Sequence, residues 1–318
     1  MNTLNETLES IERKLELNEK SVRKGKALGL PYVGSKKKIS KKIVQIIKDN
    51  FGTDKPIYDI FGGGGAITAE CLLQGLEVHY NDINKNVTDM FTKVIESDRD
   101  YLKTLIISRE EFYEIKEKEV KNVTDNLKLL INSFGNSSKC YLYPKQHSEL
   151  KYNLAKEIIE KHDVFSGYKQ TEIYKTNVTN KDNDFADFKD KVERNRILQQ
   201  LGQLQQLEQL QQLGRLQQLE QLEVTNLSYK EFSHVKGAIL YLDPPYENTY
   251  DAYGASFDSQ EFYNWAYEMA KDNVVIVSSY EISDERFKCV YSFDKTRSTM
   301  QGGTAGKKCE KLFMVREF

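Results

Sequence analysis

The chain has 318 residues, of which 39% are hydrophobic and 30% charged, proportions typical of a globular protein with a substantial core. It contains no apolar run near the roughly 20 residues that span a bilayer and no apolar segment of signal-peptide type at its start, so we expect a cytoplasmic protein without a membrane partner. The formal net charge is −2, which restricts any nucleic-acid binding to a local basic surface.

Cysteine and histidine usage argues against disulfide bonds and zinc. The four cysteines, Cys71, Cys140, Cys289 and Cys309, form no close pair in the sequence, and the four histidines are scattered. Structural zinc sites and disulfide frameworks need such residues at close, regular spacing. The sequence therefore predicts a reduced protein with no metal site.

The N-terminal part combines apolar periodicity with many lysines. Leucines at roughly helical spacing predict an N-terminal helical extension over residues 1–26, and the isoleucines from Ile39 to Ile47 predict a second helix. Between them lies the loop Pro-Tyr-Val-Gly-Ser-Lys at residues 31–36. The lysines of this region are Lys24, Lys26, Lys36, Lys37, Lys38, Lys41 and Lys42. They are candidates for a phosphate-binding surface, and a plain solvated face is the alternative.

Residues 57–65 predict a strand that ends in four glycines, with a helix beginning at Ala66. Glycines let a ligand approach the backbone closely, and a helix N-terminus offers free N–H groups. Residues 78–82 predict a second strand ending in an acid, Asp82. The interval from Gly62 to Asp82 is about the twenty residues expected between a glycine loop and a ribose-binding acid. A nucleotide site and an ordinary glycine turn both fit this block, and NAD is a rival ligand.

The alternation of strands and helices stops after residue 85. Residues 86–197 are rich in charge, with helical patterns over residues 90–101 and 109–119, and we predict a mainly helical insertion. Residues 131–139 place Asn, Ser and Lys around Phe134, which favours a loop or hairpin. Asn136 and Lys139 could contact base edges or phosphates there, or they could be turn residues.

Residues 198–222 contain a near-perfect duplication, LQQLGQLQQLEQ followed by LQQLGRLQQLEQ. Leucine occupies every third position, so on an α-helix the apolar stripe drifts by roughly 60° per leucine. Such a stripe does not form the single buried face of a surface helix. We predict helical segments that act as a spacer, with protein association through exposed leucines as the alternative.

The run Ala238–Leu242 predicts a buried strand that stops at Asp243-Pro244-Pro245-Tyr246. Proline cannot donate to a central ladder, so the strand ends in a carboxylate, carbonyl groups and an aromatic ring at the edge where α/β sheets bind ligands. The Asp243 carboxylate and the Pro244 carbonyl can accept both N–H groups of an exocyclic amine. Tyr246 can stack on a base taken out of a helix. The tetrapeptide favours methyl transfer to a base amine, and a simple strand and turn is the alternative.

Further elements around this strand complete an α/β pattern. The sequence predicts a strand over residues 223–226, a short helix over Tyr229–Phe232 and a helix over Phe262–Ala270. A buried strand is expected over Val274–Tyr280, and a last strand over Leu312–Val315.

Taken together, these blocks resemble the D12 class of N6-adenine-specific DNA methyltransferases, the Dam-like family. Residues 31–36 resemble the family's aromatic-x-Gly-Gly-Lys element, with Ser35 in place of the second glycine. The matching motif residues are Asp59, Phe61, Gly63 and Gly65 for Asp-x-Phe-x-Gly-x-Gly, Asn81-Asp82 for the ribose acid, Asp243-Pro244-Pro245-Tyr246 for the catalytic motif, and Arg297-Ser298 with Lys307-Lys308-Cys309-Glu310 for the C-terminal pattern. The resemblance covers residues 27–85 and 222–318 well.

The resemblance implies a doubly wound, Rossmann-like α/β fold that uses S-adenosyl-L-methionine and acts on double-stranded DNA. It implies two catalytic parts (27–85 and 223–318) separated by a target-recognition insertion (86–197). The sequence patterns add an N-terminal helical extension (1–26) and the repeat spacer (198–222). The implied cofactor contacts are Tyr32, Gly34, Lys36, Asp59, Phe61, Gly63, Gly65, Asp82, Thr225, Asn226 and Asp243. The candidate DNA contacts are Lys37, Lys38, Asn136, Lys139 and Arg297.

Three alternatives stay open at this point. A related methyltransferase could act on an RNA base or a glutamine amide, an NAD enzyme could share the glycine loop, and an inactive relative could only bind DNA. A cognate restriction endonuclease is a possible partner, but the sequence does not show whether one accompanies this protein, which DNA site is recognised or whether the protein dimerises.

Overall fold

The computed structural model describes residues 14–32, 34–161, 171–172, 175, 205–217, 222–247, 257–293 and 309–315. The helices are α1 (Ser40–Phe51), α2 (Ala66–Leu73), α3 (Lys85–Glu96), α4 (Arg99–Lys103), α5 (Arg109–Glu117), α6 (Val123–Ile131), α7 (Lys145–Lys161), α8 (Gln205–Leu216) and α9 (Ser259–Met269). The strands are β1 (Ile57–Asp59), β2 (Val78–Asn81), β3 (Val224–Thr225), β4 (Ile239–Leu242), β5 (Val274–Ser279), β6 (Phe287–Ser292) and β7 (Lys311–Val315).

The strands form one seven-stranded sheet in the order β3-β2-β1-β4-β5-β7-β6. Strands β1 to β5 run parallel, whereas β7 is antiparallel to both of its neighbours. The strand order reverses where β1 pairs with β4, Ile57 lying opposite Ile239. This switch point is where open α/β sheets leave a crevice for ligands. The predicted Rossmann-like α/β sheet is confirmed.

Helices cover both faces of the sheet. On one face, Ile43 and Ile47 of α1 and Ile67 of α2 pack against strand residues such as Ile239. On the other face, Phe262 of α9 packs against a set that includes Leu240, the next residue of the same strand. Successive side chains of a strand point to opposite faces, so a strand covered on both sides is apolar throughout. This is why β4 reads as a continuous hydrophobic run.

Strand β6 was not predicted. Its buried residues, Phe287 and Val290, lie three positions apart, with more accessible side chains between them. That spacing is neither the alternation of a half-buried strand nor the continuous run of a central one. A register shift between Cys289 and Tyr291 in its pairing with β7 interrupts the regular ladder.

The described residues between β2 and β3 are mainly helical, as predicted, but they share their core with the sheet. Phe91 of α3 stacks on Tyr80 of β2 with ring centroids 4.7 Å apart. A second, smaller core forms around Phe112 of α5 and Tyr141. Helices α6 and α7 were not predicted. Residues 132–141 form a loop after α6, closed by an isolated antiparallel bridge between Ser133 and Tyr141.

The spacer interpretation of the leucine repeat is wrong for the residues that the structure describes. Helix α8 buries four of the repeat leucines to 1% exposure or less: Leu207, Leu210, Leu213 and Leu216. They belong to the core that also holds Phe91 and Leu127. Leucines three residues apart turn by roughly 300° per step, so four of them cover about half the helix circumference. Helix α8 is therefore buried over a broad arc, and its helical nature is confirmed.

The predicted N-terminal helix does not extend over residues 14–26, which form turns and irregular chain. The Leu15 N–H donates to the Val290 carbonyl at 2.9 Å, which continues the hydrogen bonding of β6. Arg23 pairs with the buried Glu70 of α2 at 2.7 Å. These anchors hold the segment against the α1 face of the sheet, and residues 1–13 of the predicted helix lie outside the described residues.

Candidate active site

Polar side chains gather at the edge of the sheet where the parallel strands end. Asp59 ends β1, Asp82 follows β2, and Asp243 follows β4. Because β7 runs antiparallel to β5, its first residues arrive at this same edge, where Ser278 of β5 meets Glu310. One edge of the sheet thus carries four carboxylates.

Asp243 lies at the centre of a compact hydrogen-bonded cluster. Lys36 places Nζ 2.7 Å from Asp243 Oδ2, and the Tyr246 hydroxyl donates to Asp243 Oδ1 at 2.9 Å. The same hydroxyl also contacts Glu310 Oε1 at hydrogen-bonding distance. Ser278 Oγ donates to that Glu310 oxygen at 2.8 Å. The tetrapeptide is therefore tied to the loop before α1 and to the start of β7.

The charges in this cluster are largely shielded from water. The side chains of Lys36, Asp243 and Glu310 are only 11%, 17% and 10% exposed. Burial works against the ammonium of Lys36, but the two carboxylates outweigh it and raise the pKa of Lys36. Burial also raises the pKa of Asp243. The positive charge of Lys36 lowers this pKa, and the negative charge of Glu310 raises it further. Lys36 is therefore firmly cationic.

The Tyr246 ring is enclosed by neighbouring groups. Lys36 Nζ lies 5.1 Å from the ring centroid, and Tyr280 makes an edge-on contact with centroids 4.8 Å apart. Sequence reasoning missed the roles of Ser278, Tyr280 and Glu310 in holding this ring. The C-terminal Lys-Lys-x-Glu pattern contained Glu310, but nothing in that pattern placed it beside Tyr246.

Asp82 holds the glycine loop that follows β1. Its Oδ2 accepts the Gly63 N–H and its Oδ1 accepts the Asn84 N–H, both at 2.8 Å. The Tyr80 hydroxyl donates to the Gly63 carbonyl at 2.7 Å. Burial raises the pKa of Asp82, and the two backbone N–H groups partly offset that rise. The glycine loop and the acid that the sequence singled out are thus in direct contact, while the ribose-binding role of Asp82 stays a prediction.

Two of the loop glycines are required by packing. A Cβ on Gly62 would lie 2.3 Å from the Tyr80 ring, and one on Gly65 would lie 2.3 Å from Phe91. Gly65 also has a φ of +70°, which L side chains rarely adopt. Gly65 was predicted to contact the cofactor, and the structure gives it a role in packing against α3.

Asp59 and Phe61 frame the start of α2. Asp59 Oδ2 accepts from Thr68 N at 3.1 Å and from Thr68 Oγ1 at 2.7 Å. Burial is the main reason why the pKa of Asp59 rises to about 7. Phe61 lies against Tyr229 and Phe262, with centroids 5.9 and 5.6 Å away. Its ring extends the aromatic packing under α9 towards the glycine loop.

Thr225 and Asn226 support the end of β2. Thr225 Oγ1 donates to Asn81 Oδ1 at 2.9 Å, and Asn226 Nδ2 donates to the Asp82 carbonyl at 2.7 Å. These hydrogen bonds fix the main chain that carries the ribose acid. A direct contact of either residue with the cofactor stays a prediction.

The candidate DNA contacts are placed on two segments. Lys37 and Lys38 follow Lys36 in a short 3₁₀ turn, where burial lowers the pKa of Lys37 to about 8 and Lys38 is exposed. Lys139 is exposed in the loop after α6, and Asn136 donates its amide to the Leu130 carbonyl at 3.1 Å. Arg297 lies outside the described residues.

The residues of this edge fit S-adenosyl-L-methionine. A Cβ on Gly34 would meet no atom within 4 Å, and one on Gly63 would meet only the Tyr32 ring at 3.6 Å, so the loops leave open space beside an aromatic ring. Asp82 carries carboxylate oxygens at this edge, the type of acceptor that ribose hydroxyls need. In the part of the chain that the structure describes, no group of three or more His, Cys, Asp or Glu residues could hold a metal ion.

The sheet order, the glycine loop and the Asp-Pro-Pro-Tyr edge define a Rossmann-like α/β protein of the methyltransferase type. A family model for D12 class N6 adenine-specific DNA methyltransferases matches residues 32–302, and the chain belongs to this family. It is therefore an enzyme that methylates adenine in DNA with S-adenosyl-L-methionine as methyl donor, which confirms the resemblance. Comparison with curated proteins found no match. No helix within the described ranges is long and apolar enough to cross a membrane.

Proposed function

We propose that the chain methylates N6 of an adenine that is flipped out of duplex DNA at a specific sequence. The observation that supports this most directly is the Asp243 carboxylate, held beside Tyr246 at the end of β4 with Lys36 as its counter-ion. In this proposal the amine donates its two N–H groups to Asp243 and to the Pro244 carbonyl. The nitrogen lone pair is then directed at the methyl group.

The reaction is a direct displacement without a covalent enzyme intermediate. The N6 nitrogen would attack the methyl carbon as the carbon–sulfur bond breaks with its electron pair going to sulfur, and N6 would release one proton to solvent water. The cofactor, when bound, supplies a methyl group made electrophilic by a positively charged sulfur. The protein contributes orientation and electrostatics, since Asp243 favours the positive charge that develops on N6.

We assign the cofactor contacts to the residues around the glycine loop. Asp82 would accept the ribose hydroxyls, Tyr32 and Phe61 would flank the cofactor, and Asp59 and Gly63 would line its methionine end. Support comes from the fixed geometry of this loop, where Asp82 and the Tyr80 hydroxyl both bind Gly63. A loop held in this way is pre-organised for binding.

Removal of the Asp82 carboxylate should weaken cofactor binding more than it slows the saturated reaction. For Asp82→Asn we expect a loss of about 1.5–3 kcal/mol in S-adenosyl-L-methionine affinity, the range for hydrogen bonds to a charged group. Isothermal titration calorimetry measures this loss directly. Asp89→Asn on neighbouring α3, whose carboxylate pairs with Lys85 at 2.6 Å, is the matched control. An unchanged dissociation constant in Asp82→Asn would contradict the assignment.

The helical insertion is proposed to recognise DNA. Its described loop after α6 presents Phe134 at 67% exposure together with the exposed Lys139, and Lys38 is exposed next to the catalytic cluster. Exposed lysines can bind phosphates, and polar loop residues can reach base edges.

DNA affinity should fall steeply with salt although the net charge is −2. Each phosphate contact adds about −0.9 to the slope of log affinity against log salt concentration, so Lys38→Ala and Lys139→Ala should each reduce the slope by about one. Fluorescence anisotropy with a labelled duplex measures the slope. Lys236→Ala, before β4 and therefore at the opposite edge of the sheet, is the control. A flat salt dependence of the wild type would remove the phosphate assignment.

Expression in a host without DNA methylation tests the function as a whole. Mapping N6-methyladenine in the host genome should reveal one recurrent sequence, and the purified protein should label duplex DNA containing it. A genome without N6-methyladenine, combined with methylation of RNA or of a glutamine amide in vitro, would replace this proposal by the first alternative. A restriction endonuclease as partner stays a prediction, which co-expression with candidate nucleases can examine.

A further inference from the structure

Glu310 is a second buried carboxylate in the catalytic cluster, and the proposed chemistry gives it no part. It lies 3.8 Å from Lys36 Nζ, whereas Asp243 lies 2.7 Å from the same atom. Two buried carboxylates therefore share one ammonium. A buried charge with only a shared counter-ion is costly, so its presence calls for a specific role.

The contacts of Glu310 connect it to both groups that bind Asp243. Its Oε1 meets the Tyr246 hydroxyl and accepts the Ser278 hydroxyl at 2.8 Å. Ser278 is fully buried in β5, so this serine fixes the carboxylate on a rigid strand. Glu310 thus shares the Tyr246 hydroxyl with Asp243, and it offers Lys36 a second anionic partner.

The oxygens of Asp243 already accept one hydrogen bond each, from Lys36 and from Tyr246. An incoming amine must share or replace one of these bonds. Lys36 can release Asp243 by a small shift of its ammonium group towards Glu310, because the Glu310 carboxylate lies just beyond hydrogen-bonding distance of Nζ. Tyr246 can then donate its single hydroxyl proton to Glu310 Oε1 instead of Asp243 Oδ1, which leaves the Asp243 oxygen to the amine.

We propose that Glu310 is a positioning residue for methyl transfer, which anchors the Tyr246 hydroxyl and receives Lys36 when the target amine binds Asp243. This inference rests on the proposed function, because it assigns Asp243 to the amine. Glu310 itself does not touch the substrate.

The charge of Glu310 also affects how methyl transfer depends on pH. The ionisable groups around Asp243 are Lys36, Asp59, Tyr241, Tyr246, Tyr280 and Glu310. Burial is the largest influence on the pKa of Asp243 and raises it. Among the neighbouring charges, Lys36 lowers the pKa of Asp243 and Glu310 raises it. Replacing Glu310 by a neutral residue should therefore lower the pKa of Asp243. Since Asp243 must be ionised to accept the amine, activity should persist to lower pH.

Two substitutions of Glu310 distinguish the effect of its negative charge from the effect of its side-chain length. Glu310→Gln keeps the side-chain length and removes the charge, so the acidic limb of kcat against pH should move down by about one pH unit. Glu310→Asp keeps the charge and shortens the side chain. The acidic limb of the profile of kcat against pH should therefore stay at the same pH, while the plateau value of kcat falls. Ser278→Ala keeps the charge too and should leave the limb in place. A merely structural role predicts no shift of the limb in any of the three variants.

The pKa of Asp243 can also be measured directly, without an assay of methyl transfer. Carbon-13 NMR of protein labelled at the aspartate carboxyl carbons, with Asp243→Asn to assign the signal, should show a lower midpoint in Glu310→Gln than in wild type. If the wild type methylates no adenine, the proposed function fails, yet this titration still tests the coupling. Identical Asp243 titrations and identical pH profiles in wild type and Glu310→Gln would overturn the role of Glu310 while leaving the methyltransferase function intact. Should Glu310→Gln not fold, a plateau kcat unchanged in Glu310→Asp would overturn it as well.

Discussion

Asp243→Asn should reduce methyl transfer by at least about 100-fold in kcat, the loss seen when an essential pre-organised electrostatic group is removed. The asparagine side chain has nearly the same volume, so the cluster should stay packed. It loses the negative charge that faces the amine, and it can direct an N–H towards N6 where an acceptor is needed. Lys36 keeps an anionic partner in Glu310, at 3.8 Å.

Single-turnover methyl transfer to duplex DNA at saturating cofactor measures this loss. Calorimetric binding of the cofactor and a melting curve should show that Asp243→Asn folds and binds. Asp272→Asn is the matched control, because Asp272 is exposed and pairs with Lys236 at 3.0 Å near the start of β4. Near-normal turnover of Asp243→Asn would rule out the proposed role of the carboxylate.

Leu213→Ala should destabilise the fold by about 2–5 kcal/mol, the cost of truncating a buried leucine and leaving a cavity. Leu213 of α8 is 0% exposed and lies in the core shared with α3 and α6. Because a whole domain has only about 5–15 kcal/mol of stability, this single change should remove a large part of it. Deletion of one twelve-residue unit, residues 210–221, should prevent folding.

Urea denaturation followed by circular dichroism measures the free energy of unfolding. Glu208→Ala on the same helix is the matched control, since Glu208 is exposed and its removal should change stability by no more than about 0.5 kcal/mol. Equal stabilities of Leu213→Ala and Glu208→Ala would mean that the repeat is a spacer after all.

The sequence by itself determined the elements whose signals are local. The glycine loop after β1, the acid after β2 and the proline stop after β4 are each encoded within a few neighbouring residues, because turn geometry and hydrogen-bonding capacity belong to the residue type. The continuous apolar runs of β4 and β5 indicated parallel strands covered on both faces. These motifs were enough to place Asp59, Asp82 and Asp243 at one edge of a sheet.

Only the tertiary structure decided which distant segments complete that edge. Tyr246 and Glu310 are 64 residues apart, and they meet because β7 inserts antiparallel between β5 and β6. The pairing of Lys36 with Asp243 likewise depends on how the loop before α1 lies over the end of β4. Hydrophobic periodicity reports that a residue is buried but not which partner buries it. The leucine repeat of α8 likewise predicted a helix but not its neighbours. Helices α3, α4 and α6 pack around α8 and make it part of the core.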